Sequence, residues 1–164
     1  MIDCIIPARG GSKGIPKKNI VLVNNIPLIA YSIFIARKSK KINNIYVSTD
    51  SEEIAKVAEF FGAKIPFLRP IHLASDDSSD KDVFVHFFKE AKKLNISITK
   101  EIVHLRPTTP GRDINIVDKA IENYFSTKKC TSLRSAHESN LTPHKWFNLK
   151  DGNFEPLIGN ASNR

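Results

Sequence analysis

The spacing of hydrophobic positions alternates along the chain between patterns typical of buried strands and patterns typical of helices. Residues 2–7 are almost continuously apolar, which predicts a strand covered on both faces, as in a parallel sheet. Pro27 then opens a helical pattern that runs to about Ser39. Residues 45–49 return to a strand pattern, so the first 50 residues predict a βαβ unit.

The alternation continues through the rest of the chain. Asp50 and Glu53 resemble a capping box for a helix that ends at Gly62, and residues 64–68 predict a third strand. Later elements are a helix containing residues 83–91, strands at 102–105 and 131–136, and a helix capped by Asp113. This order predicts a three-layer α/β/α, doubly wound, mostly parallel sheet, and we expect residues 1–164 to form one domain.

A glycine-rich loop, residues 8–19, follows the first predicted strand. Its glycines allow backbone N–H groups to approach an anion, and its cations offset phosphate charge; they are Gly10, Gly11 and Gly14, and Arg9, Lys13, Lys17 and Lys18. The spacing Gly-Gly-Ser-Lys-Gly matches neither a P-loop nor a dinucleotide-binding fingerprint. The loop therefore predicts a polyphosphate site of another type, with Lys17 either at the site or turned to solvent.

Four ordered motifs together resemble the CMP-sialic acid synthetase (acylneuraminate cytidylyltransferase) family of sugar nucleotidyltransferases. They are the glycine-rich loop, Val47-Ser48-Thr49-Asp50-Ser51, Leu68-Arg69-Pro70 with Leu73-Ala74-Ser75-Asp76, and Arg106-Pro107-Thr108-Thr109-Pro110. The resemblance implies a Rossmann-like nucleotide-diphospho-sugar transferase fold. It also implies transfer of CMP from CTP to an acidic sugar, with release of pyrophosphate.

The same resemblance implies roles for individual residues. Lys18 and Arg9 would be catalytic, and the nucleotide would be bound by Ala8, Arg9, Gly11, Ser12, Lys13, Lys18, Asn19, Arg69 and Ser78. The acidic sugar would be bound by Arg106, Lys145 and Arg164. Arg106 departs from the family's usual Gln, and Gly111 from its usual Leu. The acceptor sugar could therefore be sialic acid, another nonulosonic acid, a deoxy-octulosonic acid or a sugar phosphate, and these four alternatives are left open.

The family's Mg²⁺ ligands, an Asp-x-Asp pair, have their equivalents beyond residue 164, as does its dimerisation arm. By this resemblance the chain is C-terminally truncated, Mg²⁺ is the expected cofactor with its main ligands outside the chain, and the family's homodimer is in doubt. A non-catalytic nucleotide-binding fragment is the alternative function. Asp76, Asp77 and Asp80 are either Mg²⁺ ligands or ordinary loop and helix-cap residues, and Asp50 is either a cap or a strand-end acid.

The charge distribution and the apolar content of the chain indicate its cellular compartment and its kinds of binding partner. The net charge is +8, and residues 1–50 contain eight lysines and arginines against two acidic residues. This charge favours the phosphate site and a basic helix end at residues 37–41 over RNA binding. No run approaches the roughly 18 apolar residues of a membrane span, so we expect a cytoplasmic protein without nucleic-acid or membrane partners. The two cysteines have no metal or redox spacing, and the histidines 104, 137 and 144 are expected to be structural.

Overall fold

The computed structural model describes residues 1–136, 147–150 and 153–156. The chain divides into two compact units, Met1–Cys130 and Thr131–Arg164, which we describe separately. The formation of one domain by residues 1–164 stays a prediction. In chain order the first unit contains β1 (Ile2–Pro7), β2 (Leu22–Val23), β3 (Ile26–Pro27), α1 (Leu28–Lys38), β4 (Ile42–Ser48), α2 (Glu52–Phe60), α3 (Asp80–Lys93), β5 (Ile102–His104) and α4 (Ile114–Ser126). Two short 3-10 helices lie at Lys18–Ile20 and Ile71–Leu73.

The first unit is built on a parallel three-stranded sheet in which β1 lies between β4 and β5. Alternate residues of β1 face opposite layers, because side chains of a strand point to both faces in turn. Cys4 and Ile6 pack in a core formed with α1, α2 and α4. Ile5 faces the other side, where it packs with Tyr46 and with Phe87 of α3. Helices therefore cover both faces, and the predicted three-layer parallel architecture is confirmed.

A buried carboxylate joins the strands at the amino-terminal edge of the sheet. Asp3 is 1% exposed and accepts hydrogen bonds from both the backbone and the side-chain nitrogen of Asn44, at 3.1 and 2.9 Å. Its other oxygen accepts the N–H of Thr99 at 3.0 Å, and the Thr99 hydroxyl accepts the N–H of Asp3. This network holds the segment before β5 and the start of β4 to the central strand.

The helix boundaries agree with their local sequence signals, with one correction. Ser51, not Asp50, caps α2, because its hydroxyl accepts the N–H of Ile54 at 3.4 Å, while Asp50 contacts another loop. The predicted Asp50–Glu53 capping box is therefore wrong. Asp113 caps α4 as predicted, and Gly62 follows α2 with a φ of +96°, a left-handed conformation that favours glycine.

Two predicted strands are absent from the described residues. Residues 64–68 make only one bridge, between Lys64 and Tyr46, since Pro66 has no N–H to continue a ladder. Residues 131–136 contain no strand. Conversely, the structure has a two-stranded hairpin, β2–β3, that the apolar pattern did not predict. Its turn residues Asn24 and Asn25 have φ values of 48° and 62°, the left-handed pair of a tight hairpin turn.

The described part of the second unit is an antiparallel hairpin formed by β6 (Phe147–Lys150) and β7 (Asn153–Pro156). Among the described residues, no helix is both long enough and apolar enough to cross a membrane.

Candidate functional site

An open cleft of about 300 Å³ lies at the carboxyl ends of the three sheet strands. Ligands of doubly wound sheets bind at this edge, because the loops that follow the strands converge there. The cleft is lined by Pro7, Arg9, Ser12, Lys18, Asn19, Arg69, Leu73, Ser75, Asp76, Ser78, Asp80, His104, Arg106, Pro107 and Thr108. The glycine-rich loop contributes part of the lining, and residues 69–80, which lead into α3, and residues 104–108, at and after the end of β5, contribute most of the rest.

Internal hydrogen bonds fix the shape of the glycine-rich loop. Asn19 is buried, and its side-chain amide donates to the carbonyl of Arg9 at 2.9 Å, which joins the two ends of the loop. The N–H of Ser12 donates to the carbonyl of Gly10 at 3.0 Å. Arg9, Ser12 and Lys18 consequently line one side of the cleft.

Arg69 places a buried cation in the wall of the cleft. Its backbone N–H donates to the carbonyl of Thr49 at 2.7 Å, and the residue is only 5% exposed. Its Nε and Nη2 atoms are buried without a hydrogen-bond partner, and the carboxylate of Asp50 lies 3.8 Å from Nη2. Burial lowers the pKa of the guanidinium, and Asp50 opposes that effect. Since arginine stays charged at neutral pH, these nitrogens are donors whose hydrogen-bonding capacity the described residues leave unused.

Two carboxylates in the cleft lining, those of Asp76 and Asp80, neutralise nearby cations. Asp76 contacts Arg9, with 2.6 Å between Oδ1 and Nη2, and it also forms an ion pair with Lys13. Hydrogen bonds from Lys13 and then Arg9 hold the pKa of the Asp76 carboxyl below its ordinary value. Asp80, at the start of α3, pairs with Arg106 after β5. A phosphate that reached these cations would take the place of a carboxylate.

The structure brings together most, but not all, of the residues suggested by the sequence. Seven of them line the cleft: Arg9, Ser12, Lys18, Asn19, Arg69, Ser78 and Arg106. Ala8 is buried behind the loop, whereas Gly11 and Lys13 do not line the cleft. Lys17 forms an ion pair with Glu53 at 2.7 Å instead of reaching the cleft. The predicted sugar ligands Lys145 and Arg164 lie outside the described residues.

Some lining residues were not predicted as site residues. Ser75 and Thr108 belong to the sequence motifs quoted above, so the signal for them was present in the chain. His104, expected to be structural, lies in the lining and packs its ring edge-on against Phe84, with 4.9 Å between ring centroids. Its position at the end of β5, where ligands of such sheets bind, was the sequence signal that could have placed His104 in the site.

The described carboxylates do not fit a resident metal ion. Within residues 1–136, 147–150 and 153–156, no three His, Cys, Asp or Glu side chains cluster as metal ligands. Asp76 and Asp80 are already paired with cations, and Asp77 does not line the cleft.

Comparison with known proteins decides the family. A protein-family model described as "Cytidylyltransferase" matches residues 4–153 of the chain. The chain belongs to the cytidylyltransferase family. This membership confirms the nucleotidyltransferase resemblance drawn from the four motifs.

The similar curated proteins act on related acidic sugars, according to their names. A pseudaminic acid cytidylyltransferase of Campylobacter jejuni is 39% identical over 150 residues, which cover 92% of this chain and 64% of that protein. A CMP-N,N'-diacetyllegionaminic acid synthase of Legionella pneumophila is 37% identical, covering 87% and 60%. An N-acylneuraminate cytidylyltransferase of Escherichia coli is 36% identical, covering 85% and 32%. The chain thus spans less than two thirds of each of these three relatives.

Solved structures show the same fold. A CMP-2-keto-3-deoxy-manno-octonic acid synthetase complexed with CTP superimposes with a TM-score of 0.63 at 19% identity, covering 79% of this chain and 49% of that one. A cytidylyltransferase from Leptospira borgpetersenii gives a TM-score of 0.56 at 25% identity, covering 79% and 51%.

Proposed function

We propose that this cytidylyltransferase-family protein transfers CMP from CTP to a nonulosonic acid of the pseudaminic, legionaminic or sialic type and releases pyrophosphate. The observation that carries the proposal is the cleft lining, which brings together Arg9, Lys18 and Arg69, whose buried guanidinium has two unpaired donors. Family membership and the names of the relatives support cytidine as the nucleoside. The reaction belongs in the cytoplasm, where nucleoside triphosphates are supplied.

The cleft residues divide into two groups by their chemistry. Arg9, Ser12 and Lys18 lie on the glycine-rich loop, where cations, a hydroxyl and backbone N–H groups suit the triphosphate. Arg69 also lines the cleft, and its guanidinium holds the cytidine half. Arg106, at the end of β5, binds the carboxylate of the sugar, since a guanidinium fork matches a carboxylate in two hydrogen bonds.

In the proposed reaction a sugar hydroxyl oxygen attacks the α-phosphorus of CTP. A bond forms between that oxygen and phosphorus, the bond to the pyrophosphate oxygen breaks, and the hydroxyl proton is released. The residues contribute by positioning the reactants and stabilising negative charge that moves towards pyrophosphate. Lys18 stabilises this charge directly. Loss of one preorganised electrostatic donor typically costs about 2–4 kcal/mol, so its removal should slow the reaction substantially.

Mg²⁺ enters this proposal as the counter-ion that accompanies CTP. It prefers oxygen ligands and usually retains waters and substrate phosphates, so it does not require a complete protein cage. The described carboxylates do not provide such a cage, and none of the roles above depends on one.

The direct test is pyrophosphate release from CTP in the presence of pseudaminic, legionaminic or N-acetylneuraminic acid. We expect release only when CTP and one of these acids are both present. Lys18→Met should lower kcat/KM by about 30- to 1000-fold. Lys56→Met is the matched control, because Lys56 is an exposed residue of α2 outside the cleft lining. Equal release from ATP, or release without the acid, would contradict the proposal.

A further inference from the structure

The carboxylate of Asp50 lies behind the cleft and is not used by the roles described above. Asp50 follows β4 and is followed by Ser51, whose hydroxyl caps α2. Its side chain is 15% exposed and does not appear in the lining of the cleft. A partly buried carboxylate that neither caps a helix nor reaches the ligand space needs another explanation, because its burial costs hydration.

Asp50 contacts both the glycine-rich loop and Arg69, to which the proposed function assigns the two halves of the nucleotide. Its Oδ1 accepts the N–H of Gly10 at 2.9 Å, and the same oxygen lies 3.8 Å from Nη2 of Arg69. One carboxylate oxygen thus holds the start of the glycine-rich loop by a hydrogen bond and faces the buried guanidinium at the distance of an ion pair.

The loop lies close enough to Asp50 for the hydrogen bond to define its position. A Cβ atom at Gly10 would lie 3.2 Å from Cβ of Ser51 and 3.4 Å from Oδ2 of Asp50. The first of these distances is tighter than an ordinary van der Waals contact, so a glycine lets the loop pack against Asp50 and Ser51. Arg9 precedes Gly10 directly, and any shift of Gly10 moves that cation.

We propose that Asp50 is a positioning residue of the nucleotide site, which fixes the glycine-rich loop and Arg69 relative to each other before the ligand binds. The proposal rests on the proposed function. It assigns Asp50 two separable effects: a hydrogen bond that places Gly10 and a negative charge that keeps the Arg69 guanidinium in the wall. Positioning of this kind raises affinity because less ordering is needed on binding.

Two substitutions separate this role from simple packing. Asp50→Ala removes the acceptor and the charge, whereas Asp50→Asn keeps a carbonyl oxygen for the Gly10 N–H and loses only the charge. By titration calorimetry we expect Asp50→Ala to weaken CTP and pyrophosphate binding by at least about tenfold. Asp50→Asn should bind pyrophosphate within about threefold of wild type. Asp118→Asn is the matched control, since Asp118 accepts hydrogen bonds from Ser39 and Lys40, which do not line the cleft.

The backbone N–H of Gly10 gives a readout that needs no nucleotide. In ¹⁵N NMR spectra of the unliganded protein, the Gly10 amide should shift and exchange faster with solvent in Asp50→Ala, and should stay close to wild type in Asp50→Asn. Wild-type CTP affinity in Asp50→Ala, or an unchanged Gly10 amide in that variant, would overturn the proposal. Equal loss in Asp50→Ala and Asp50→Asn with lowered unfolding midpoints would also overturn it, because that result indicates general destabilisation.

The same experiments distinguish the two proposals. If wild-type protein does not bind CTP, the proposed function fails, while the Gly10 amide and pyrophosphate binding still decide the positioning role. If wild-type protein binds CTP and both Asp50 variants do so equally well, only the positioning role fails.

Discussion

Replacing Arg69 by Met separates binding from stability, because this guanidinium is held in the fold without a hydrogen bond from Nε or Nη2. Arg69→Met stabilises the folded state by removing two buried, unpaired donors, and it destabilises the folded state by removing the attraction to Asp50 at 3.8 Å. Removing one partner of a close, fully desolvated ion pair costs about 3–5 kcal/mol. This pair is long, and Asp50 keeps its hydrogen bond from the Gly10 N–H, so the free energy of unfolding should fall by much less, about 1 kcal/mol. Urea denaturation of the unliganded protein measures this change.

The effect of Arg69→Met on binding should be much larger. Hydrogen bonds from a charged group contribute about 1.5–3 kcal/mol each, so loss of one to CTP should raise the Kd about 10- to 150-fold. Titration calorimetry with CTP measures this loss. Arg69→Lys keeps the charge without the planar fork, so its Kd for CTP should lie between those of the wild type and Arg69→Met. Arg37→Met is the matched control, because Arg37 is exposed and donates to the carbonyl of Phe61, outside the cleft lining.

Two results would refute the reasoning about Arg69. Wild-type CTP affinity in Arg69→Met would show that the guanidinium does not contact the nucleotide. A loss of about 3–5 kcal/mol in unfolding free energy, the cost of breaking a structural buried ion pair, would show that Arg69 serves the fold instead.

Three further predictions concern other groups. Asp3→Ala should lower the free energy of unfolding by about 3 kcal/mol or more in urea titrations, because it removes the buried acceptor of three hydrogen bonds; wild-type stability would contradict this. Asp76→Asn should bind pyrophosphate about two- to fivefold more tightly at neutral pH by calorimetry, because the carboxylate no longer competes for Lys13 and Arg9. The gain in affinity over wild type should vanish as the pH falls through the lowered pKa of the Asp76 carboxyl, because protonation of Asp76 breaks its pairs with Lys13 and Arg9 in wild type as well. A gain that does not depend on pH would contradict competition between the carboxylate and pyrophosphate. Burial raises the pKa of the Cys4 thiol to about 12, so a thiol reagent at pH 8 should modify Cys4 only on unfolding, and rapid labelling of the native protein at this position would disprove its burial.

The sequence predicts those elements whose signals are local. The apolar run of β1, the periodic pattern of α1 and the Asp113 cap each depend on a few neighbouring residues, and the structure contains all three. Strand pairing depends on distant partners, so residues 64–68 had a strand pattern and yet make only one bridge. The β2–β3 hairpin is too short for an alternating pattern to be visible, and Asn24-Asn25 is its one local turn signal.

The residues of the cleft could be predicted from local motifs, but the contacts between them could not. Motifs identified Arg9, Lys18 and Arg69 as residues for one ligand, and all three line the cleft. The pairing of Arg9 with Asp76 joins residues 67 positions apart, and no local pattern predicts it. Asp50 was ambiguous in the sequence because a strand-end acid and a helix cap occupy the same position; only the three-dimensional contacts with Gly10 and Arg69 distinguish them.

The most direct test of the central claim is thermal unfolding with CTP, UTP, GTP or ATP, each with Mg²⁺. A ligand at 100 times its Kd stabilises the folded state by about 2.7 kcal/mol, which corresponds to a rise in Tm of roughly 5–10 °C for a chain of this size. We expect CTP to produce this rise and the purine nucleotides to produce little. Equal protection by all four nucleotides, or protection by none, would contradict assignment of the cleft as a cytidine triphosphate site.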